Sequence, residues 1–405
     1  MKVLFITDGE IENPASGSEQ VAFQQATGLA ARGAEVCALS RRGGAAEPAL
    51  RRTVEGVREM VLSAPVSDPG RFFLSLFRQL PGAFTELQGD RPFSAAVVHQ
   101  PVGYCVLATL GRMRKLPLLY VFHSPWQEEY AEKRAGSDGK NAAGRARAGM
   151  EGFAVRRAAK VVTLSRYMAD KVTGLHGVPE KRIVINPGGA DHKRFAPLTD
   201  REAVKARLNL PPGAVHLVTV RNLEPRMGLF NLLSAMAVLN AESPGLFHLT
   251  IGGSGPLREG LLSRVRELNL AGAVTVAGFI PAGLLADYLG AADFFVLPTE
   301  KLEGFGLVTP EAMACGTPVL GTPVGGTREI LSSFDGRLLF RDAGSAAMAA
   351  GIKQAADRIF FDREAYAALR SRCREHVEKN YSWPRHVSTL WQELLTATGN
   401  RHGSR

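Results

Sequence analysis

The densest run of chemically capable residues is Pro298-Thr299-Glu300-Lys301-Leu302-Glu303-Gly304-Phe305-Gly306-Leu307-Val308-Thr309-Pro310-Glu311, continuing Ala312-Met313-Ala314-Cys315-Gly316-Thr317-Pro318-Val319. An apolar strand ends at Pro298, a glycine-bearing loop follows, and a helix starts with Thr309 or a neighbour as its cap and Pro310 in its first turn. Backbone N–H groups around Gly306, Leu307 and Val308 then suit an anion such as a diphosphate. Glu303 is on the loop and Glu311 in the first helical turn, where an acid also complements the helix dipole. A second block, Val220-Arg221-Asn222-Leu223-Glu224-Pro225-Arg226-Met227-Gly228, follows another strand. Arg221 and Arg226 can converge on one diphosphate through bidentate guanidinium forks, or can be ordinary solvated arginines.

Further strand ends carry weaker signals. Ile251-Gly252-Gly253-Ser254-Gly255-Pro256 and Gly278-Phe279-Ile280-Pro281 are turns, and Asn13-Pro14-Ala15-Ser16-Gly17-Ser18-Glu19 opens a helix. His99 and His123 close two strands, and Trp126 follows His123 in Phe122-His123-Ser124-Pro125-Trp126. A lone histidine is usually structural, but two at adjacent strand ends could serve one site. No G-x-G-x-x-G, nucleophile elbow or H-E-x-x-H occurs, which disfavours a nicotinamide oxidoreductase and a serine or zinc hydrolase. No metal site is expected.

The elements that must hold these residues follow from length and pattern. At 405 residues the chain fits two domains of roughly 200 residues. With 45% hydrophobic and 22% charged residues it is an ordinary globular sequence. Apolar runs near 2–7, 34–40, 57–63, 94–99, 117–122, 159–164 and 182–185 read as strands, as do 215–220, 247–251, 274–277, 293–297, 317–321 and 336–340. Helical segments separate them, one near 19–32 carrying Val21, Ala22, Gln25, Leu29 and Ala30 on one face. Two doubly wound α/β domains in tandem are predicted, with ligands beyond the carboxyl ends of the strands. Cys37, Cys105, Cys315 and Cys373 are widely spaced and read as reduced thiols.

The net charge is +10, and residues 1–190 hold 25 basic against 18 acidic groups. Such an excess suits an acidic partner. Eight cations lie between Lys133 and Lys160, and Arg71-Phe72-Phe73-Leu74-Ser75-Leu76-Phe77-Arg78 is both aromatic and basic. The latter suits an interfacial helix or one packing its aromatics into the first domain. Base-reading motifs are lacking, so nucleic acid is not expected. With no long apolar span and an early acid in Met1-Lys2-Val3-Leu4-Phe5-Ile6-Thr7-Asp8, a cytoplasmic protein is expected, with peripheral contact at the inner membrane face open to the first domain.

Glu303 and Glu311, with seven residues between them, and the following Ala312-x-Ala314-x-Gly316-Thr317-Pro318-Val319 resemble the E-x7-E signature of family 4 retaining glycosyltransferases, the glycosyl transferases group 1. The resemblance covers nearly the whole chain. It implies an α/β GT-B fold, two doubly wound Rossmann-like domains facing a central cleft. An acceptor-side domain over 1–190 would be completed by a helix about 383–400, and a nucleotide-sugar donor domain would cover 191–382. By resemblance, Glu303 and His123 meet the donor sugar and Glu311 the ribose. Arg221 matches the first diphosphate cation, and Arg226 or, with a one-residue shift, Met227 occupies the usual lysine position. Gly17, Gly253, Gly306, Leu307 and Val308 would line the donor, Phe279 and Ile280 the base, and His99 and Trp126 the acceptor side. Ser165 and Asp191 fall in family-like segments read as structural. The family implies no cofactor beyond the nucleotide diphosphate sugar as co-substrate, and the D-x-D metal signature of the other large glycosyltransferase fold is missing. The expected reaction is retaining, metal-independent transfer to a glycan, lipid-linked or small-molecule acceptor. A GT-B nucleotide-sugar epimerase and a catalytically silent sugar-nucleotide binding protein are the alternatives.

Overall fold

The computed structural model describes residues 1–43, 49–65, 68–132 and 141–399. They divide into two compact units, residues 1–188 with the chain from Trp383 onward, and Gly189–Ser382. The first unit holds β1 (Lys2–Ile6), β2 (Glu35–Arg42), β3 (Leu50–Val54), β4 (Val57–Ser63), β5 (Ala95–Val98), β6 (Leu118–Phe122), β7 (Lys160–Thr163) and β8 (Ile183–Ile185). They form one sheet in the order β3-β4-β2-β1-β5-β6-β7-β8. β1 pairs with both β2 (Val3 opposite Val36) and β5 (Val3 opposite Ala95). Every residue of β1, β5 and β6 is buried, because helices cover both faces of a parallel sheet.

β3 is absent from the strands predicted above. It is the antiparallel edge, joined to β4 by Glu55-Gly56 with positive φ at both residues (45° and 83°), the geometry of a two-residue hairpin. Arg51-Arg52 hides it from an apolar pattern. Arg52 instead reaches across to Glu59 at 2.7 Å, whose other oxygen accepts from the Ser40 hydroxyl and the Ile11 amide.

The second unit holds β9 (Val215–Val220), β10 (Phe247–Gly252), β11 (Val274–Gly278), β12 (Phe294–Leu297) and β13 (Val319–Gly321), parallel throughout in the order β11-β10-β9-β12-β13. The strand expected at 336–340 is a 3-10 turn, Gly336–Leu338, with a single bridge from Leu339 to Gly321. Asp335 accepts the Arg337 amide at 3.1 Å and coils the chain there before pairing can spread.

The helix Trp383–Ala397 belongs to the first unit, against the helix Gly17–Ala31. Val387 sits over Gly28, and Arg32 donates to the Pro384 carbonyl at 3.3 Å. Arg71 to Arg78 lies in the helix Pro69–Gln88: Phe72 and Phe73 pack on the core, Arg41 covers the Phe72 ring, and Leu74 and Phe77 remain exposed. Of the basic run from Lys133 to Lys160, residues 133–140 lie outside the described residues. Among the described residues no helix is long and apolar enough to cross a membrane. The four cysteines are unpaired. Burial pushes the Cys315 and Cys373 thiols up to about 12 and that of Cys105 to about 11, so they are unreactive at neutral pH.

Candidate active site

In the second unit the strand order reverses between β9 and β12, so the loops after these two strands face one crevice. Arg221 is the first residue after β9 and Glu303 lies on the loop after β12. The Arg221 guanidinium donates to Glu303 at 2.8 Å and to the Thr299 hydroxyl at 2.6 Å, and that hydroxyl donates to the same carboxylate oxygen at 2.8 Å. The two side chains are 7% and 11% exposed. Burial lowers the Arg221 pKa and Glu303 offsets the effect, leaving a fixed cation braced by a carboxylate.

Backbone geometry locks both loops. Gly253 has φ 131°, and a Cβ there would stand 1.8 Å from the Arg221 carbonyl oxygen. Gly325, φ 60°, lies equally tight on the Glu303 carbonyl, where a Cβ would come to 2.0 Å. Between them Leu302 holds a left-handed φ of 54°, a conformation a branched side chain resists and which marks stored strain beside Glu303. Its carbonyl accepts from Arg226 at 2.9 Å, so Arg226 reaches the same loop. Met227, the residue a one-position shift would have chosen, is buried as apolar core.

The buried donors here outnumber their acceptors. Nε of Arg221, Nε of Arg226 and the hydroxyls of Thr309 and Thr327 are buried without a hydrogen-bond partner. The two threonine hydroxyls and the Glu303 carboxyl carbon surround Gly306, at 3.4, 2.9 and 3.5 Å from where its Cβ would be. Each such orphan costs about 1–3 kcal/mol. An anionic ligand with several acceptor oxygens is the chemical complement to this set.

Thr309 is therefore not the helix cap expected of it. The helix is Val308–Ala314, Leu307 occupies the capping position and no side chain caps it. At seven residues its dipole is small, and the arginines and hydroxyls supply most of the attraction for an anion. Gly306, with φ 76°, turns the chain into it. On the other flank the Gly253 amide donates to the Gly278 carbonyl at 2.7 Å, which places Gly278-Phe279-Ile280 beside Arg221. Phe279 is 73% exposed, whereas Ile280 is buried over Gly252. The Ile280 side chain is thus packed inward, while Phe279 has a free ring face.

Glu311 lies one turn into the helix. Burial raises its carboxyl to about 7 from 4.5, with Arg194 pulling the other way. The folded state therefore keeps a proton that the unfolded chain loses above pH 4.5, and stability falls as pH rises from about 4.5 to about 7 and is level beyond. In thermal unfolding between pH 5 and 8, Glu311→Gln should lose less melting temperature than the parent protein; an equal loss would contradict a buried, proton-holding Glu311.

In the first unit, His99 follows β5 and His123 follows β6. Nδ1 of His99 and Nε2 of His123 are 2.9 Å apart, and Nε2 of His99 is 3.1 Å from Oε1 of Gln25. Gln25 Nε2 is 2.9 Å from His386 Nε2, and His386 Nδ1 is 2.8 Å from the Pro187 carbonyl. Gly17 is the first residue of the helix that carries Gln25, capped by Ser16 with Glu19. Trp126 begins the helix Trp126–Glu132, its amide on buried Glu151 and its ring under Arg147. Ser165 caps the helix Arg166–His176, in keeping with a structural role.

Sequence reading missed Thr299, Thr327, Gln25 and His386. Gln25 did leave a signal, as a polar residue on an otherwise apolar helix face. His386 and Thr327 left none, since Gln25 and Gly306, which they adjoin, lie far away in sequence.

Comparison with known proteins matches residues 200–375 to the family model "Glycosyl transferases group 1" and residues 16–189 to "Glycosyl transferase 4-like domain". D-inositol 3-phosphate glycosyltransferase of Kineococcus radiotolerans is 31% identical over 331 residues, covering 78% of this chain and 74% of its own. That of Rhodococcus opacus is 27% identical over 399 residues, covering 95% and 87%. Among solved structures, sucrose-phosphate synthase from Thermosynechococcus elongatus superposes with a TM-score of 0.81 at 24% identity, covering 98% of this chain and 100% of its own. Anabaena HepE in complex with UDP and glucose follows at 0.75 and 17%, with coverage of 98% and 100%. The fold shared with these structures is GT-B, two Rossmann-like domains.

Proposed function

Since the chain belongs to the glycosyl transferases group 1 family and is a sugar transferase acting on a nucleotide sugar and an acceptor, we propose that it is a retaining, metal-independent enzyme whose second unit takes the donor. The observation that carries this reading is the set of unpartnered buried atoms, Nε of Arg221, Nε of Arg226 and the hydroxyls of Thr309 and Thr327, the two hydroxyls lying beside Gly306. A diphosphate offers the acceptor oxygens they lack, and its charge grows as the sugar departs, so donors fixed in advance stabilise the leaving group. Arginines thus do the work that a divalent cation does elsewhere.

Glu303, the carboxylate on the donor loop, is engaged by Arg221 and Thr299, which supports a course without a covalent intermediate on it. In the proposed course the acceptor hydroxyl attacks from the side the diphosphate leaves, and its proton passes to a donor phosphate oxygen. Glu303 and His123 position the sugar, Gly17 serves the donor phosphates, Phe279 and the Ile280 backbone hold the base, and Glu311 accepts from the ribose hydroxyls. An ionised Glu311 accepts from two hydroxyls, so nucleotide affinity should rise with pH through about 7.

The first unit takes the acceptor, where Asp8, Arg41 and Gln100 rim a depression walled by Leu39, Leu62 and Leu76. The relatives named as D-inositol 3-phosphate glycosyltransferases make a phosphorylated polyol the first acceptor to try. Leu74 and Phe77, exposed between Arg71 and Arg78, support a peripheral contact with anionic lipid at the cytoplasmic membrane face, which sedimentation with phosphatidylglycerol vesicles tests.

UDP-, GDP- and ADP-sugars should be screened by thermal stabilisation, since a ligand of the folded state raises the melting temperature. The best donor should then give an α-linked product from an α-linked donor, undiminished by EDTA. Loss of activity in EDTA would overturn the metal-independent reading, and an inverted product the retaining one. Conversion of the donor without acceptor would favour an epimerase.

A further inference from the structure

The polar chain in the first unit can be resolved proton by proton. It ends on the Pro187 carbonyl, which only accepts, so Nδ1 of His386 must carry a hydrogen. Neutral His386 then has a lone pair on Nε2, and the Gln25 amide nitrogen 2.9 Å away donates to it. That orients the Gln25 oxygen toward His99, whose Nε2 must donate at 3.1 Å. Neutral His99 is left with a lone pair on Nδ1, so the 2.9 Å contact requires the hydrogen on Nε2 of His123. Turning the Gln25 amide over would require hydrogens on both nitrogens of His386, a buried cation. Burial disfavours that cation, pulling His386 and His123 down to about 4 and His99 well below its usual value. The Asn186 side chain fixes the far end by donating to the His386 carbonyl at 3.0 Å.

We infer that Gln25, His99 and His386 are positioning residues that set the tautomer of His123, holding its hydrogen on Nε2 and leaving Nδ1 as a hydrogen-bond acceptor for a hydroxyl of the transferred sugar. The sugar-facing part rests on the role proposed above for His123; the tautomer itself follows from the hydrogen bonds alone. Without the relay the His99–His123 pair reverses at little cost. Nδ1 of His123 then carries the hydrogen, and a hydroxyl that meets a donor must itself turn round and give up its own. The relay therefore selects which sugar hydroxyl orientation is accepted, from the Pro187 carbonyl, two side chains beyond the His99–His123 pair.

Protein labelled with 15N-histidine tests this by two-bond nitrogen–proton correlation, with His123 assigned from its absence in His123→Gln. The expected pattern in the parent protein is a protonated Nε2 and a bare Nδ1. Gln25→Leu should shift His123 toward the other tautomer or a mixture, with kcat for transfer down about fivefold to tenfold. Affinity for UDP, GDP and ADP should not change, which a general structural loss would not spare. Gln25→Glu in its protonated form still donates to His386 and accepts from His99, and should restore both the pattern and most of the rate toward the acid end of the pH profile. Gln25→Met replaces the leucine variant if the branched side chain prevents folding. A protonated Nδ1 in the parent protein, or an unaltered pattern in Gln25→Leu, overturns the relay even if transfer proceeds as proposed. A shifted tautomer with an unchanged kcat overturns the sugar-facing role. If no nucleotide sugar supports transfer, the proposed function fails while the spectra still judge the relay.

Discussion

Arg221→Ala should lower sugar transfer about 100- to 1000-fold, the usual loss when a preorganised charge stabiliser of a leaving group is removed. The same change leaves Glu303 buried without its cation, a loss of about 3–5 kcal/mol. For a unit of this size that corresponds to a fall of about 10 °C in melting temperature. The two effects can be separated. Replacing both partners, Arg221→Met with Glu303→Leu, removes the unpaired charge and should recover most of the stability while transfer stays undetectable. Arg221→Lys keeps the charge, but a point cation cannot hold Thr299 and Glu303 together and still present a nitrogen to the donor, so it should recover only a small part of the rate. Steady-state assays well below the melting point, paired with calorimetry, check this. Full activity in Arg221→Ala would remove the arginine from the donor site.

Gly253→Ala should be nearly as damaging although it adds one methyl group. The glycine needs φ 131°, and the methyl would stand 1.8 Å from the Arg221 carbonyl oxygen. The turn must move, and Arg221 and the Phe279 segment hydrogen-bonded to it move too. The strain alone is about 1–3 kcal/mol, and the displacement should cut transfer at least tenfold through loss of donor affinity. Gly272, where a Cβ would meet nothing within 4 Å, is the control, and alanine there should leave both properties nearly unchanged. A Gly253→Ala protein with normal donor affinity would mean that this turn does not shape the site.

Much of the architecture was legible because parallel strands buried on both faces appear as short, nearly unbroken apolar runs, as in Val3-Leu4-Phe5-Ile6 and Phe294-Phe295-Val296-Leu297. Strand ends then localise Arg221 and Glu303, and their meeting at the strand-order reversal is a consequence of topology. Where side chains rather than backbone decide, the pattern was silent. Arg51 and Arg52 disguise an edge strand, and Asp335 coils a segment whose apolar residues look extended. Thr309 had the right type for a cap but is the second residue of the helix, two positions past Leu307, too deep to serve as one. Thr327 joins the site only because Gly325 and Gly326 press their helix onto the Glu303 loop. Gln25 and His386 meet across 361 positions, a pairing that no local window contains.

The return of the helix Trp383–Ala397 to the first unit also orders events in time. A ribosome releases β1 to β8 first, yet their partner for Gln25 and Gly28 is made only after the whole second unit. The second unit is continuous in sequence and can finish folding while the first is still without its last helix. Nascent chains shorter than about 383 residues thus expose the face of Gly17–Ala31 that Val387 and His386 later cover. His123 therefore gains its settled protonation pattern only once His386, made after the whole second unit, has docked on Gln25.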